Sequence, residues 1–338
     1  MRNYVRLLNQ LSTKLLITAS LAVVLSQPAS AKVEPADAAT VAQLQQEFIE
    51  TMVNEHGFST SQVQQLLQQA SFNQDVFDAI QRPWEAKPWH QYYPIFLTEK
   101  RLQAGLKFWQ THQQTLAKAE QEYGVPAEII VAIIGVETFY GEYLGNYSVL
   151  DSLFTLGFHY PPRAKFFRSE LAQFMLLANE EGLPATELMG SYAGAMGYGQ
   201  FISSSYRHYA VDFDADGVRD LLGNPVDAIG SVAHYFARHG WQADAPVAQL
   251  LAPSDSVANL VEKGLKPSAT VAELTERGLS LTSTVNADLK AKVFAFELAE
   301  GHEYWLGFNN FYVITRYNHS PLYAMAVYQF SQQLRQAR

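Results

Sequence analysis

One carboxylate stands out for the company it keeps. Glu137 lies in Gly135-Val136-Glu137-Thr138 and is the first acid after the apolar run Ile129-Ile130-Val131-Ala132-Ile133-Ile134. A carboxyl at the end of an all-apolar helix loses hydration, which raises its pKa and keeps it protonated near neutral pH. A protonated carboxylic acid can donate a proton to a glycosidic oxygen. Gly135 is expected to leave room for a ligand to approach. The competing reading is a helix-end Glu that pairs with a base or faces water. Glycosidases normally use two carboxylates, and the neighbourhood offers no compelling second one. Glu142 sits on the polar Gly141-Glu142-Tyr143 loop, and Asp151 is expected to cap the helix that starts at Ser152-Leu153. A site with one acid suggests chemistry assisted by the substrate itself.

A second candidate is the stretch Ser191-Tyr192-Ala193-Gly194-Ala195-Met196-Gly197-Tyr198-Gly199-Gln200-Phe201. No Gly-Lys-Ser follows and the glycine spacing is wrong, so it is neither a P-loop nor a dinucleotide fingerprint. Small residues here allow backbone to line a groove, and Gln200 offers a donor and an acceptor to a sugar. A tight glycine turn between helices is the plainer alternative.

A third is Asp212-Phe213-Asp214-Ala215-Asp216-Gly217, which begins like an EF-hand with acids at loop positions 1, 3 and 5 and Gly at 6. Position 12, where an EF-hand wants Glu, is Gly223. Nine histidines and no cysteines give no zinc spacing, and His234 and His239 do not make an HExxH pattern.

These residues need a scaffold, and the sequence reads as mostly helical. Val41, Leu44, Phe48 and Met52 recur at helical spacing, and Ser59 or Thr60 could cap a second helix within the stretch to Gln81. Residues 82–97, with Pro83, Pro88, Pro94, Trp84, Trp89, Tyr92 and Tyr93, form an irregular aromatic connection. One long helix is expected from Thr98 to Tyr123, ended by Gly124. Pro126 is expected at the first position of the next, which is apolar on every side and therefore buried. Further helices are expected over 163–180, 203–210, Asn224 to Gly240, and from Pro321. Residues 246–309 are richer in Val, Thr and Leu. Alternations at Leu279-Ser280-Leu281-Thr282 and Val293-Phe294-Ala295-Phe296 point to a small β-containing insertion.

The N-terminus reads as an export signal. Arg2, Arg6 and Lys14 precede an apolar Leu15–Leu25 stretch, and Ala29-Ser30-Ala31 provides a cleavage site near Ala31. An uncleaved anchor is the alternative. The apolar run is short for a membrane span, so the mature chain is expected to be periplasmic, without an integral membrane span, and monomeric. The net charge of -9, more negative once Arg2, Arg6 and Lys14 are removed, argues against nucleic acid or an anionic membrane as partner.

The runs Gly135-Val136-Glu137-Thr138, Ser191 to Phe201, and Asp227-Ala228-Ile229-Gly230-Ser231-Val232-Ala233 occur together and in order. In these the sequence resembles the membrane-bound lytic murein transglycosylase B family, from about Tyr92 to the C-terminus and most closely over 124–241. The resemblance implies a mainly α (α+β) fold with a lysozyme-like core. With the signal peptide read over 1–31, the expected parts are an N-terminal α-helical domain over 32–110, a lysozyme-like catalytic core over 111–245, a small β-domain over 246–309, and a C-terminal segment, 310–338, returning to the groove. It implies cleavage of the β-1,4 bond between N-acetylmuramic acid and N-acetylglucosamine of peptidoglycan without water, giving 1,6-anhydromuramyl ends. Glu137 matches the family's acid/base. Ser191, Met196, Gln200, Tyr235, Tyr317, Asn318, Tyr323 and Tyr92 match its groove positions. Asp227 matches the last ligand of a variant EF-hand-like loop, 212–227. With Asp212, Asp214, Asp216 and the Val218 carbonyl it would hold a structural Ca²⁺, with no cofactor needed for catalysis. The alternatives are a muramidase that hydrolyses the same bond and a non-catalytic peptidoglycan-binding protein.

Overall fold

The computed structural model describes residues 32–82, 87–281 and 283–338. The expected signal segment, Pro83, Trp84 and Thr282 lie outside the described residues. Three capped helices open the described chain. In α1, Ala38–His56, the Asp37 carboxylate accepts from the Thr40 amide, and Gly57 in left-handed backbone (φ 74°) ends the helix. In α2, Thr60–Gln69, Ser59 and Gln62 form a capping box. In α3, Gln74–Ala79, the Asn73 side chain caps the first turn. Phe48 of α1 meets Phe158 edge-on at 5.8 Å, and the Asn73 amide donates to Thr155 Oγ1. These contacts tie the first helices to a π-helical turn, Thr155–His159.

A short α4, Trp89–Tyr92, and a 3-10 turn lead into α5, Glu99–Thr111, capped by Thr98. The single helix expected to Tyr123 is broken at His112, and α6 runs Gln113–Tyr123. The Thr111 hydroxyl donates to the Lys107 carbonyl one turn back, a contact that bends helices. Gly124 (φ 68°) closes α6 as expected. The central helix α7 is Ala127–Thr138, and Pro126 occupies its N-cap rather than its first position. Ile129, Ile130, Val131, Ile133 and Ile134 are all buried. Each such side chain contributes about 2 kcal/mol of burial free energy.

Next come a two-residue strand β1, Tyr147–Ser148, and α8, Val149–Phe154. Ser148, not Asp151, caps α8: the Asp151 amide donates to Ser148 Oγ, while the Asp151 carboxylate accepts from the Ser71 amide. Then follow α9, Ala164–Glu181, β2, Met189–Gly190, which pairs antiparallel with β1, α10, Ser203–Tyr209, and α11, Pro225–Arg238. Pro225 stands at the start of α11 behind an Asn224 cap.

The β-containing part is a four-stranded antiparallel sheet in the order β3-β6-β5-β4. It comprises β3, Ala248–Leu251, β4, Ala269–Thr270, β5, Lys290–Glu297, and β6, His302–Gly307, with α12, Asp255–Ala258, and α13, Val271–Glu276, inserted. Alternation decides its faces. Leu251, Val293 and Leu306 face α12 and α13 in a small core of their own. Phe294, Phe296 and Trp305 face the helices, meeting Phe311, Trp89 and Tyr328 at 4.9, 5.4 and 6.0 Å. The expected alternation Val293–Phe296 lies inside β5. Leu279–Leu281 is not a strand, and Leu279 is buried in the small core as a connecting residue. The chain closes with α14, Asn309–Tyr317, and α15, Pro321–Ala337, which packs along α7.

Candidate active site

Glu137 sits in the last turn of α7, where the chain stops being helical abruptly. Phe139 and Tyr140 both adopt left-handed backbone (φ 50° and 63°), followed by Gly141 at φ 90°. A non-glycine residue there costs about 1–3 kcal/mol, so the surroundings must hold it. The Phe139 ring lies under the Arg101 guanidinium at 5.1 Å and the Lys100 ammonium at 4.9 Å. Arg101 Nε donates to the Gly135 carbonyl, and its Nη1 donates to those of Ile95 and Phe96. A carbonyl at the helix end thus gains a cationic donor.

Gly135 has a role the sequence does not suggest. A Cβ there would collide with the Tyr140 hydroxyl and stand 2.6 Å from its Cζ. Gly105 on α5 is equally hemmed in by that ring. The space belongs to Tyr140, stacked on Phe108 at 5.1 Å, and not to a ligand. The buried Tyr140 hydroxyl has no hydrogen-bond partner.

Burial pushes the Glu137 carboxyl up to about 7, against the lowering effect of a hydrogen bond that the Tyr323 hydroxyl donates to Oε1. Tyr323 caps the same space from α15, and Tyr317 and Tyr92 stand close enough to act on it electrostatically. Burial and the neighbouring Glu137 charge raise the Tyr317 and Tyr323 hydroxyls well above their ordinary value, so both remain neutral donors. Among the described residues no second acid perturbs Glu137. Asp151 is engaged with Ser71, and Glu142 with the Tyr143 hydroxyl.

The other expected groove residues divide into two sets. Gln200, Tyr235 and Tyr317 line a cleft of about 540 Å³. Tyr317 donates to the Gly199 carbonyl at 2.7 Å and Tyr235 to the Arg316 carbonyl at 2.6 Å, so neither hydroxyl donor is free. Arg163 and Arg316 share the cleft and make it locally cationic in an acidic chain, while burial lowers the His239 imidazole and favours its neutral form. Asn318 is half-buried at the end of α14, beside that wall. Ser191 and Met196 instead build the glycine loop. Ser191 Oγ accepts from the Ala193 and Ala195 amides, and buried Met196 exchanges two 2.9 Å backbone bonds with Phe201. Gln200, in left-handed backbone (φ 48°), donates its amide to the Leu144 and Gly197 carbonyls. The loop's glycines admit the protein's own groups: a Cβ at Gly197 would strike the Leu221 carbonyl, and one at Gly199 would lie 2.8 Å from the Tyr317 hydroxyl.

In the acidic loop, carboxylate oxygens of Asp212, Asp214 and Asp227 lie within 4.8 Å of one another. The Asp212 carboxylate also accepts from the Asp216 and Gly217 amides, and the Asp227 carboxylate accepts from those of Phe213 and Asp220. Burial, with Asp214 and Asp212 adding repulsion, raises the Asp227 carboxyl above its ordinary value. Three crowded carboxylates, Asp212 and Asp227 held by backbone amides and Asp214 by the Asn224 side-chain amide, suit a hard cation. Asp216 stands outside the trio and turns to the Val218 amide, and Val218 is exposed. Sequence reasoning passes over Thr138, Tyr198, Leu221 and Arg101, which join these parts. Only the small hydroxyl of Thr138 directly after Glu137 could have hinted at it.

Comparison with known proteins fits this geometry. A family model described as transglycosylase SLT domain matches residues 40–332. The chain is 44% identical over 303 residues to membrane-bound lytic murein transglycosylase B of Escherichia coli (strain K12), covering 87% of this chain and 83% of that protein. Among solved structures it resembles soluble lytic transglycosylase SltB1 from Pseudomonas aeruginosa, at 49% identity and TM-score 0.82 over 88% of this chain and 99% of that one. The Escherichia coli lytic transglycosylase Slt35 in complex with calcium matches at 43% identity and TM-score 0.80, over 87% and 93%. SltB3 from Pseudomonas aeruginosa in complex with NAG-anhNAM-pentapeptide matches at 28% and 0.76, over 88% and 80%. With a mainly helical, lysozyme-like body carrying a small sheet, the chain belongs to the transglycosylase SLT domain family.

Proposed function

We propose that the protein is a peptidoglycan lytic transglycosylase in which Glu137 serves first as acid and then as base. The observation that carries this reading is a half-buried carboxyl at the end of α7 that desolvation pushes up to about 7, with no second acid among the described residues acting on it. At neutral pH such a group is close to half protonated, which suits both halves of the reaction. Protonated Glu137 donates to the oxygen between N-acetylmuramic acid and N-acetylglucosamine as the bond from that oxygen to C1 breaks. The muramyl N-acetyl oxygen stabilises the positive charge at C1. Glu137, now a carboxylate, removes the proton of the muramyl 6-hydroxyl, and that oxygen bonds to C1. No water enters, and Glu137 ends protonated as it began. Attack within one ring has an effective-concentration advantage of several powers of ten over water. Tyr323 holds one carboxyl oxygen and leaves the other for the substrate. The relative SltB3 binds NAG-anhNAM-pentapeptide, an anhydro-sugar peptide of the kind this route gives as product.

The acidic loop would take a structural Ca²⁺ on Asp212, Asp214 and Asp227, a reading supported by the clustered carboxylates and by the calcium complex of Slt35. The site of action would be the periplasm. No described helix is long and apolar enough to cross a membrane. Digestion of purified peptidoglycan followed by mass spectrometry tests the reading: anhydro ends support it, and reducing ends would mark a hydrolase instead.

A further inference from the structure

We propose that Thr138 is a positioning residue that fixes Glu137 relative to the glycine loop and, through Tyr198 and Leu221, couples the acidic loop to the active site. This inference rests on the proposed role of Glu137.

Thr138 is fully buried and follows Glu137 in the chain. Its hydroxyl donates to the Tyr198 carbonyl at 2.9 Å, with the Ile134 carbonyl at 3.2 Å as the alternative acceptor, and it accepts from the Gly141 amide at 3.1 Å. One side chain thus holds the end of α7, the left-handed turn beyond it and the glycine loop. The Tyr198 ring covers Gly141, where a Cβ would collide with it. The path continues on the far side of the same residue. The Tyr198 amide donates to the Leu221 carbonyl at 3.0 Å, and Gly197 leaves no room for a side chain against that carbonyl. Leu221 is itself pinned. Its amide donates to the Tyr206 hydroxyl at 2.8 Å, and that hydroxyl donates to the Arg219 carbonyl at 2.7 Å. One residue back, the Asp220 amide donates to Oδ2 of Asp227 at 2.8 Å, in the carboxylate trio.

Each hydrogen bond on the path is given or accepted by a backbone group, the peptide bond between Asp220 and Leu221 joins its two halves, and the close approach of Gly197 to the Leu221 carbonyl leaves the middle little slack. A cation drawing Asp227 toward Asp212 and Asp214 therefore acts on the segment 220–221, and that segment holds Tyr198. Without the cation, repulsion within the trio falls on the same bonds.

Two measurements on the full chain test this. In the first, Thr138→Val removes the hydroxyl and keeps the shape, and Thr138→Ser keeps the hydroxyl. Kinetics on purified glycan strands are expected to show kcat reduced about 10-fold or more in Thr138→Val with KM little changed. Thr138→Ser is expected within about 2-fold of the unaltered protein in both constants. A Thr138→Val enzyme with undiminished kcat, or a Thr138→Ser enzyme as poor as Thr138→Val, overturns the positioning role. In the second, which needs no variant, amide exchange is followed with Ca²⁺ and with EDTA. Chelation is expected to speed exchange at the Tyr198 amide about 10-fold or more, with Ca²⁺ restoring it and the sheet amide of Phe294 unaffected. Equal exchange at Tyr198 with and without Ca²⁺ overturns the coupling. Full activity in Glu137→Gln would instead overturn the proposed function, and the Tyr198 exchange result does not depend on that outcome.

Discussion

The Tyr323 hydroxyl donates to Oε1 of Glu137 across 186 residues of sequence, joining the last turn of α7 to the first turn of α15. The bond works against the burial that raises the Glu137 carboxyl to about 7. A hydrogen bond to the ionised form lowers a carboxyl pKa. Tyr323→Phe is therefore expected to raise it by about one unit. The catalytic acid is the protonated form, so activity falls as pH rises through this pKa. The alkaline limb of the kcat/KM profile should move to higher pH in Tyr323→Phe. An unmoved or lowered limb would show that the bond does not set the pKa of Glu137.

Holding Glu137 dry has a stability cost with a definite sign. The folded-state pKa is about 7 against an ordinary 4.5. Below about 4.5 the carboxyl is protonated in both states and costs nothing. Between these values the unfolded chain ionises first, and stability is lost as pH rises. Above about 7 the loss levels off at about 3 kcal/mol, as an order of magnitude. Glu137→Gln, neutral throughout, should melt several degrees above the unaltered protein at pH 8 and match it at pH 4. Melting curves across this range check it; equal melting temperatures at pH 8 would mean that the carboxyl is better solvated than its surroundings indicate.

Tyr140 and Gly135 make a paired prediction. The Tyr140 hydroxyl is buried without a partner, so Tyr140→Phe should be neutral or stabilising by about 1 kcal/mol. Gly135→Ala should destabilise by about 2 kcal/mol or more through overpacking. Tyr140→Phe should not rescue it, because the ring carbon Cζ also stands 2.6 Å from the added Cβ. Denaturant unfolding of the single and double variants decides the matter, and a rescued double variant would place the clash at the hydroxyl alone.

How much of this is legible in the sequence depends on whether the controlling partner is local. The α7 pattern is local, since apolar residues on all sides can only be buried, and that pattern singles out Glu137 as a candidate. The Val293–Phe296 alternation marks β5 for the same reason. Gly135 misleads because its neighbour Tyr140 reaches it only through two left-handed residues, which no periodicity announces. Asp151 looks like a cap because its partner, the Ser71 amide, is 80 residues away. The Thr98–Tyr123 helix reads as continuous because the break at His112 contains neither glycine nor proline. The glycines after Ser191 read as letting backbone line a groove, but the sequence does not show that Leu153, Leu221 and Tyr317 stand against Gly194, Gly197 and Gly199, because those partners are distant in the chain.

The acidic loop gives a metal-dependent expectation. Ca²⁺ should raise the melting temperature, EDTA should lower it, and Asp227→Asn should abolish the difference. Asp216→Asn should keep most of it, because the Asp216 carboxylate lies outside the trio and turns to the Val218 amide. A melting temperature indifferent to Ca²⁺ in the unaltered protein would remove the metal site.

The central claim is that one carboxyl performs both proton transfers without water. Its most direct test is mass spectrometry of muropeptides released from purified peptidoglycan by the unaltered protein and by Glu137→Gln. The expected result is 1,6-anhydromuramyl ends from the former and at least about a 1,000-fold loss of release from the latter. Reducing muramyl ends, or anhydro ends formed at an undiminished rate by Glu137→Gln, would contradict it.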